Sequence, residues 1–204
     1  MNNKIINTAI QILSEDKFLK KIVDNYPPPK FEINNNYFDA LAKSIIYQQL
    51  SGKVAKIIYT RFLKKFNHQN PNPSDFLNIE ESELKEIGLS WQKIKYIKNL
   101  SNFFIEKKNE LDFNNLSDKK IHNELIKIKG IGQWTIDMFM MFTLFRTDIL
   151  PIGDLGIKKA FKKLYNLDEL PSSNFMNEKS KKWKPYRTIA CCYLWMTVDD
   201  GDVW

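Results

Sequence analysis

Residues 126–139 read IKIKGIGQWTIDMF, and the glycine pair within this stretch decides how the fold is interpreted. Gly130 and Gly132 lie between two segments whose apolar residues recur at helical spacing. Because glycine is unfavourable inside a helix, the pair predicts a tight turn between one helix that ends near Lys127 and another that begins near Gln133. Unshielded amides beside the positive end of the second helix would suit a phosphate. A plain corner between two helices also needs glycine, and this stretch alone favours that simpler explanation.

The rest of the chain is also helical in its apolar spacing, which predicts an all-α fold. The prolines at 27–29 exclude a helix from 26–36, and residues 168–182 form a polar stretch. Ser74 or Asp75 is expected to cap a helix after the preceding loop. The other predicted helices cover 3–23, 37–49 and 52–66, then run from Ser82 to Gly88, from Ser90, from Ser117, from the glycine turn to about Phe145, from Leu155 to about Tyr165 and from Pro185 onward.

The size and charge of the chain bound its class and its partners. Its 204 residues suffice for one sizeable domain or two small ones. The formal net charge is +7, and the pI is about 9.2. This charge favours a polyanionic partner such as nucleic acid, although a coding bias toward Lys, Asn and Ile would produce it without any function.

The cysteines and the N-terminal segment indicate a compartment. The N-terminal segment lacks the features of a secretory signal, and no apolar run is long enough to span a membrane. Cys191 and Cys192 are adjacent, and neighbouring cysteines seldom bridge each other. Two thiols cannot complete a four-thiolate iron–sulfur cluster. We therefore expect an intracellular protein, in the cytoplasm and nucleoid or in a nucleus, with no membrane partner.

Segments spread over most of the chain, in a fixed order, carry a family resemblance. The chain resembles the helix-hairpin-helix (HhH-GPD) DNA glycosylase superfamily and, within it, the DNA-3-methyladenine glycosylase II family. This resemblance implies a single all-helical domain over 1–204, with two helical lobes (37–115, and 1–36 plus 116–204) and a cleft between them. The segments that carry it are IIYQQLSGKVA (45–55), GLSWQKIKYI (88–97), KGIGQWTIDMF (129–139), LPIGDLGIKKAF (150–161) and WKPYRTIACCYLW (183–195).

Asp154 stands just before a predicted helix, and position alone favours an ordinary helix cap. The resemblance implies instead that Asp154 is the catalytic aspartate. Cleavage of an N-glycosidic bond builds positive charge on the deoxyribose, which a fixed carboxylate facing the sugar would stabilise. An alkylated purine is cationic and leaves readily, so that a second carboxyl group acting as general acid is less necessary.

Trp134 occupies the position at which related bifunctional glycosylases carry a lysine that attacks the sugar. Lys129 and Lys158 lie nearby in sequence but not at the matching position. Because tryptophan offers no nucleophile, the resemblance implies a monofunctional enzyme that leaves an abasic site and does not cut the strand.

The resemblance assigns further residues to DNA and to the flipped base. Leu50 would be the wedge that fills the gap in the duplex, although a leucine at a helix end also suits a core. The implied DNA contacts are Gly130, Ile131, Gly132, Gln133 and Thr135 at the hairpin, and Gln49, Leu50 and Ser51 at the helix break. Lys53 and Arg187 are candidate phosphate contacts, for which an ordinary solvated face is the alternative. For the base pocket, Trp134 and Trp195 match positions of the family, with core packing as the alternative. Met138 stands where some relatives have an aromatic residue, and Tyr47, which replaces a glycine common in the family, would either add an aromatic wall or merely pack.

The resemblance also implies a possible metal site, formed by the backbone carbonyls of Ile126, Ile128 and Gly130 around Na⁺ or K⁺, with no cofactor required. The leading hypothesis is a monomeric, monofunctional glycosylase that excises 3-methyladenine or 7-methylguanine from double-stranded DNA. The alternatives are a protein that binds damaged or bent DNA without cutting, a glycosylase for another damaged base, and a helical interaction protein whose charge reflects composition alone.

Overall fold

The computed structural model describes residues 1–66, 70–107 and 112–198, and within these ranges every regular element is a helix. The prediction of an all-α fold is therefore confirmed. No helix in these ranges is long and apolar enough to cross a membrane. The helices are α1 (Asn3–Leu13), α2 (Lys17–Asn25), α3 (Tyr37–Tyr47), α4 (Gly52–Lys64), α5 (Pro73–Leu77), α6 (Glu81–Glu86), α7 (Trp91–Glu106), α8 (Asp118–Leu125), α9 (Gln133–Phe142), α10 (Leu155–Tyr165), α11 (Ser173–Ser180) and α12 (Arg187–Met196), with a 3₁₀ turn at Lys181–Trp183.

Contacts between Cα atoms divide the chain into two compact units, which we call the central unit (34–139) and the terminal unit (1–33 with 140–204). In the central unit, α7 packs against α3 and α5. Its core combines apolar residues of α3 and α7, spaced so that each helix turns one face inward, with aromatic side chains of neighbouring elements. Residues with no measurable exposure include Leu41, Ile45, Phe62, Phe76, Ile97 and Leu100.

The terminal unit is built around α12, which contacts α1, α2 and α10. Residues 188–195 of this helix are all buried, as expected for a helix surrounded by others. Trp183 is fully buried, and its indole nitrogen donates to Asp16 at 2.6 Å.

The predicted division of the chain placed residues 116–139 with the terminal segments, whereas the contacts group them with 34–115. Gln48 donates its side-chain amide to the carbonyl of Gly130 at 3.0 Å. The ring of Phe139 lies 5.7 Å from that of Tyr37 and 5.2 Å from that of Phe113. These contacts fasten α9 and the turn that precedes it to the rest of the central unit.

The prediction of a single helix over 3–23 was wrong, because the chain breaks between Leu13 and Lys17. Asp16 caps α2 by accepting from the amide of Phe18 at 2.9 Å. Its other oxygen accepts from Trp183, so the break is fixed by a residue far along the chain.

Other boundaries also differ from the predictions. Asn72 caps α5, with Pro73 in the first turn, so the cap is neither Ser74 nor Asp75. Ser82 lies inside α6 and does not cap it. The predicted polar stretch contains α11. Helix α9 ends at Phe142 rather than Phe145, and α12 begins at Arg187 rather than Pro185.

Candidate functional site

The glycine hairpin, which we define as residues 126–132, connects α8 to α9 as the sequence predicts. Gly130 has a φ of +110°, and a Cβ at this position would overlap the ring of Tyr96. Gly132 is exposed, and no heavy atom lies within 4 Å of the place where its Cβ would stand. Gly130 is therefore required by the turn and its packing, whereas Gly132 leaves open space above the backbone at the start of α9.

The predicted contact residues of the hairpin differ in how accessible they are. Gln133 is exposed, and its amide nitrogen donates to Asp137 at 2.7 Å. Ile131 is only 5% exposed and Thr135 only 1%. The hydroxyl of Thr135 accepts from Gln48 at 2.9 Å and is thus engaged within the protein. The outward-facing residues are therefore Gly132, at the end of the hairpin, and Gln133, at the start of α9.

The wedge segment, which we define as residues 47–51, lies where α3 ends and α4 has not yet begun. Gln49 takes the left-handed conformation, with a φ of +58°. Leu50 is 36% exposed, so it is not the core leucine that the sequence left open. Gln49, Ser51 and Lys53 are exposed beside it. Exposed and set on a break between helices, Leu50 has the placement that a wedge needs.

The wedge segment and the hairpin lie side by side within the central unit. Gln48 donates its side-chain amide to Gly130 O at 3.0 Å and to Thr135 Oγ1 at 2.9 Å. A polar pocket of about 420 Å³ separates the exposed parts of the two segments. The pocket is lined by Gln48, Gln49, Ser90, Gln92, Lys93, Tyr96 and residues 130–132.

Asp154 belongs to the terminal unit, where it is the N-cap of α10. Its Oδ1 accepts from the amide of Ile157 at 2.7 Å and from the indole nitrogen of Trp195 at 2.9 Å. The residue is half-buried, so its carboxylate is fixed in orientation without being sealed in the interior. A Cβ at Gly156 would lie 3.0 Å from Trp195 Cδ1 and 3.1 Å from Asp154 Oδ1. The glycine therefore gives the carboxylate and the indole the room to meet.

The four predicted base-pocket residues fall into two classes. Trp195 is 3% exposed and Met138 is 1% exposed. Trp134 and Tyr47 are half-buried and offer part of their surface. The Trp195 ring lies 5.9 Å from Phe142, and its N–H is committed to Asp154. Trp195 thus positions the aspartate, in addition to any contact it makes with a base.

Arg187 and Lys53, both predicted to contact phosphate, have different surroundings. The guanidinium of Arg187 is paired with the carboxylate of Asp148 through Nε at 2.5 Å and Nη2 at 3.0 Å. Nη2 also donates to the carbonyl of Asp148 at 2.9 Å. Such a bidentate pair fixes the arginine inside the terminal unit. Lys53 is exposed at the start of α4.

The hairpin carbonyls offer the kind of oxygen that Na⁺ and K⁺ prefer. Ile128 O accepts from the amide of Ile131 at 3.0 Å, and Gly130 O accepts from Gln48. Each carbonyl oxygen has a second lone pair, so these bonds are compatible with a cation held by Ile126, Ile128 and Gly130.

Sequence reasoning missed the residues that fasten the two segments to the central unit. Gln48, Lys93, Tyr96 and Asn99 were within or beside quoted segments, but they received no role. The available signal was the spacing of the last three at i, i+3 and i+6 on α7, each one position before a core residue (Ile94, Ile97 and Leu100).

Comparisons with known proteins show which family matches the region that contains these segments. The model of the family described as "HhH-GPD superfamily base excision DNA repair protein" matches residues 42–185, which include the hairpin, the wedge segment and Asp154. DNA-3-methyladenine glycosylase 1 of Schizosaccharomyces pombe is 32% identical over 191 residues, which cover 91% of this chain and 83% of that protein.

Solved structures give the same picture. The 3-methyladenine DNA glycosylase of S. pombe in complex with abasic DNA matches with a TM-score of 0.88 and 29% identity, covering 97% of this chain and 99% of that one. A DNA-3-methyladenine glycosidase from Bacillus halodurans matches with a TM-score of 0.74 and 34% identity, covering 92% of this chain and 87% of that one.

Proposed function

The chain belongs to the HhH-GPD superfamily of base excision DNA repair proteins, and from this membership we infer that it is a DNA glycosylase that removes alkylated bases. We propose 3-methyladenine and 7-methylguanine as the bases that it excises. Relatives that match most of the chain are named DNA-3-methyladenine glycosylases. The similar S. pombe enzyme was solved with abasic DNA, which is what base removal leaves behind.

The observation that supports this chemistry best is the half-exposed carboxylate of Asp154, fixed by the Ile157 amide and the Trp195 indole. In the reaction, the bond between the sugar C1′ and the purine nitrogen breaks, and its electron pair leaves with the base. The departing base thereby loses the positive charge that alkylation gave it. A carboxylate facing the sugar stabilises the cation that forms there, and preorganisation makes that stabilisation large.

A water molecule completes the reaction by forming the new bond to C1′ and giving up a proton, for which the Asp154 carboxylate is a suitable acceptor. The enzyme is proposed to be monofunctional because Trp134, and not lysine, stands at the position of the family's nucleophile. Hydrolysis then ends at an intact strand with an abasic site.

The test is release of free 3-methyladenine or 7-methylguanine from methylated duplex DNA, compared between the wild type, Asp154→Asn and Asp168→Asn. Asparagine caps a helix as well as aspartate does, so Asp154→Asn should fold normally. It should nevertheless release base about 100-fold more slowly, because the negative charge is lost. Asp168 is exposed just beyond the other end of α10, and its substitution should leave the rate unchanged.

Equal release by the wild type and Asp154→Asn would refute the role of the aspartate. No release by the wild type, with duplex binding retained, would favour a non-catalytic DNA-binding protein or a different damaged base. Borohydride should trap no covalent complex with DNA, and a trapped complex would refute the monofunctional proposal.

We further propose that the protein acts as a monomer on double-stranded DNA inside the cell and requires no cofactor. Na⁺ or K⁺ bound by the carbonyls of Ile126, Ile128 and Gly130 would stiffen the hairpin without entering the chemistry. The buried positions of Cys191 and Cys192 are compatible with a reducing compartment.

A further inference from the structure

One face of α7 touches both segments that are proposed to contact DNA. Lys93 donates from its ammonium group to Ile46 O at 2.7 Å and to Gln48 O at 2.9 Å. One turn further on, the ring of Tyr96 packs so closely on Gly130 that no Cβ fits there. After another turn, the side-chain amide of Asn99 donates to Lys129 O at 3.0 Å. We call these three residues the α7 stripe.

Gln48 links the wedge segment directly to the hairpin and to α9. Its side-chain amide donates to Gly130 O and Thr135 Oγ1, while its own backbone carbonyl accepts from Lys93. The backbone of the wedge segment is therefore held from one side by α7 and from the other by α9. The hairpin is held by α7, through Tyr96 and Asn99, and by Gln48 of the wedge segment.

The ammonium group of Lys93 donates hydrogen bonds to carbonyls at the end of α3, which an apolar residue could not do. The carbonyls that it contacts belong to the last turn of α3 and to the residue after it, where the helix dipole is negative. Burial lowers the pKa of Lys93, because desolvation destabilises its charged form. A requirement for packing alone would therefore not explain why a charged residue stands here. Gln49, the next residue, stays in a left-handed conformation that a non-glycine residue keeps only when its surroundings hold it there.

Resting on the proposed function, we infer that the α7 stripe and Gln48 are positioning residues that hold the wedge at a fixed distance from the phosphate-binding hairpin before DNA arrives. An enzyme that must insert a side chain into the duplex while gripping a neighbouring phosphate gains rate from this preorganisation, because little ordering remains to be done on binding. The residues act through Leu50 and the hairpin amides and need no contact with DNA themselves.

The central experiment compares Lys93→Met with Lys95→Met. Methionine keeps the apolar stem of lysine but donates no hydrogen bond, and Lys95 is an exposed residue of the same helix. The readout is the fluorescence of 2-aminopurine placed beside an abasic-site analogue in a duplex, measured at saturating protein with both variants folded. It reports unstacking by the wedge and does not depend on base excision.

Lys93→Met should lose most of the fluorescence increase and should slow single-turnover excision from methylated DNA between about tenfold and 100-fold. Lys95→Met should match the wild type in both. If Lys93→Met gives the same fluorescence increase and the same excision rate as the wild type, the inference is overturned. Wild-type protein that unstacks DNA normally but releases no base would instead sink the proposed function and leave the fluorescence comparison decisive.

Hydrogen exchange gives a second measurement, and Gln48→Met gives a second variant should Lys93→Met fail to fold. In each folded variant, amides of residues 47–51 and 128–132 should exchange faster than in the wild type, with no matching change in α10 or α12. Unchanged exchange in both segments for Gln48→Met, together with wild-type unstacking, would contradict the inference independently of Lys93.

Discussion

At the scale of single residues, the helix cap and the proposed catalytic role of Asp154, which its sequence position presents as alternatives, are compatible with each other. The residue is a helix cap, as its position before α10 predicts, and the same bonds aim its carboxylate. The cap does not conflict with the proposed role in catalysis, because the backbone amide and the indole that donate to the charged oxygen also fix the direction of the carboxylate. The local sequence could predict the cap, but it could not predict the bond to Trp195, which stands 41 residues later.

Gly156 offers a test of how closely the carboxylate must be placed. Gly156→Ala would add a Cβ 3.0 Å from Trp195 Cδ1 and 3.1 Å from Asp154 Oδ1, which forces the pair to shift by a few tenths of an ångström. Alanine favours a helix more than glycine does, so the thermal stability should change little. The single-turnover rate of base release should fall by about tenfold, because the geometry of the reacting group is disturbed.

Gly153→Ala is the matched control for this substitution, since no heavy atom lies within 4 Å of the added Cβ. It should release base at the wild-type rate. If Gly156→Ala is equally active while its unfolding temperature is unchanged, the contact between Asp154 and Trp195 has no part in the rate.

At the scale of elements, the two glycines of the hairpin look equivalent in sequence but have different surroundings in the structure. Gly130→Ala would meet the Tyr96 ring at a φ of +110°, so it should lower the unfolding temperature and impair DNA binding together. Gly132→Ala meets nothing within 4 Å, so it should leave the unfolding temperature unchanged and weaken binding to an abasic-site duplex, because the methyl group obstructs the backbone amides. Calorimetry and a fluorescence binding titration check the pair.

The comparison of Gly130→Ala with Gly132→Ala separates an effect on the stability of the turn from an effect on the approach of DNA. Wild-type DNA affinity in Gly132→Ala would mean that phosphate does not approach the hairpin at that residue. A stable Gly130→Ala protein would mean that Tyr96 can move away at little cost, which would also weaken the argument for the α7 stripe.

Element boundaries were predicted well where the signal is local and poorly where a distant residue decides. Helix α10 runs from Leu155 to Tyr165 as predicted, and Ser90 and Ser117 cap the helices that they were expected to begin. The break at Asp16 was missed, because a long amphipathic pattern continues through it. Its oxygen is held by Trp183, which lies 167 residues away.

At the scale of the whole molecule, motif order identified the hairpin, the wedge segment and Asp154, but not what holds them. The bonds from Gln48 to the hairpin and to α9 span 82 and 87 residues, and those from Lys93 to the end of α3 and to the wedge segment span 47 and 45. No local pattern reports such pairs. Motif order also does not report local partners, since Arg187, a basic residue in a family motif, is paired with Asp148 inside its own unit, and its contact with phosphate stays a prediction.

The net charge of +7 should make binding to duplex DNA strongly dependent on salt, because each lysine or arginine at a phosphate releases counterions. A plot of log K against log salt concentration for an abasic-site duplex should be linear, and Lys53→Gln should reduce its slope by about one unit, as expected for one lost phosphate contact. Lys65→Gln removes the same charge, but the ammonium of Lys65 is paired with Glu83 at 2.5 Å, so it should leave the slope unchanged. Equal slopes for the wild type and Lys53→Gln would remove Lys53 from the interface, and a flat plot for the wild type would mean that the basic charge reflects composition and has no part in binding.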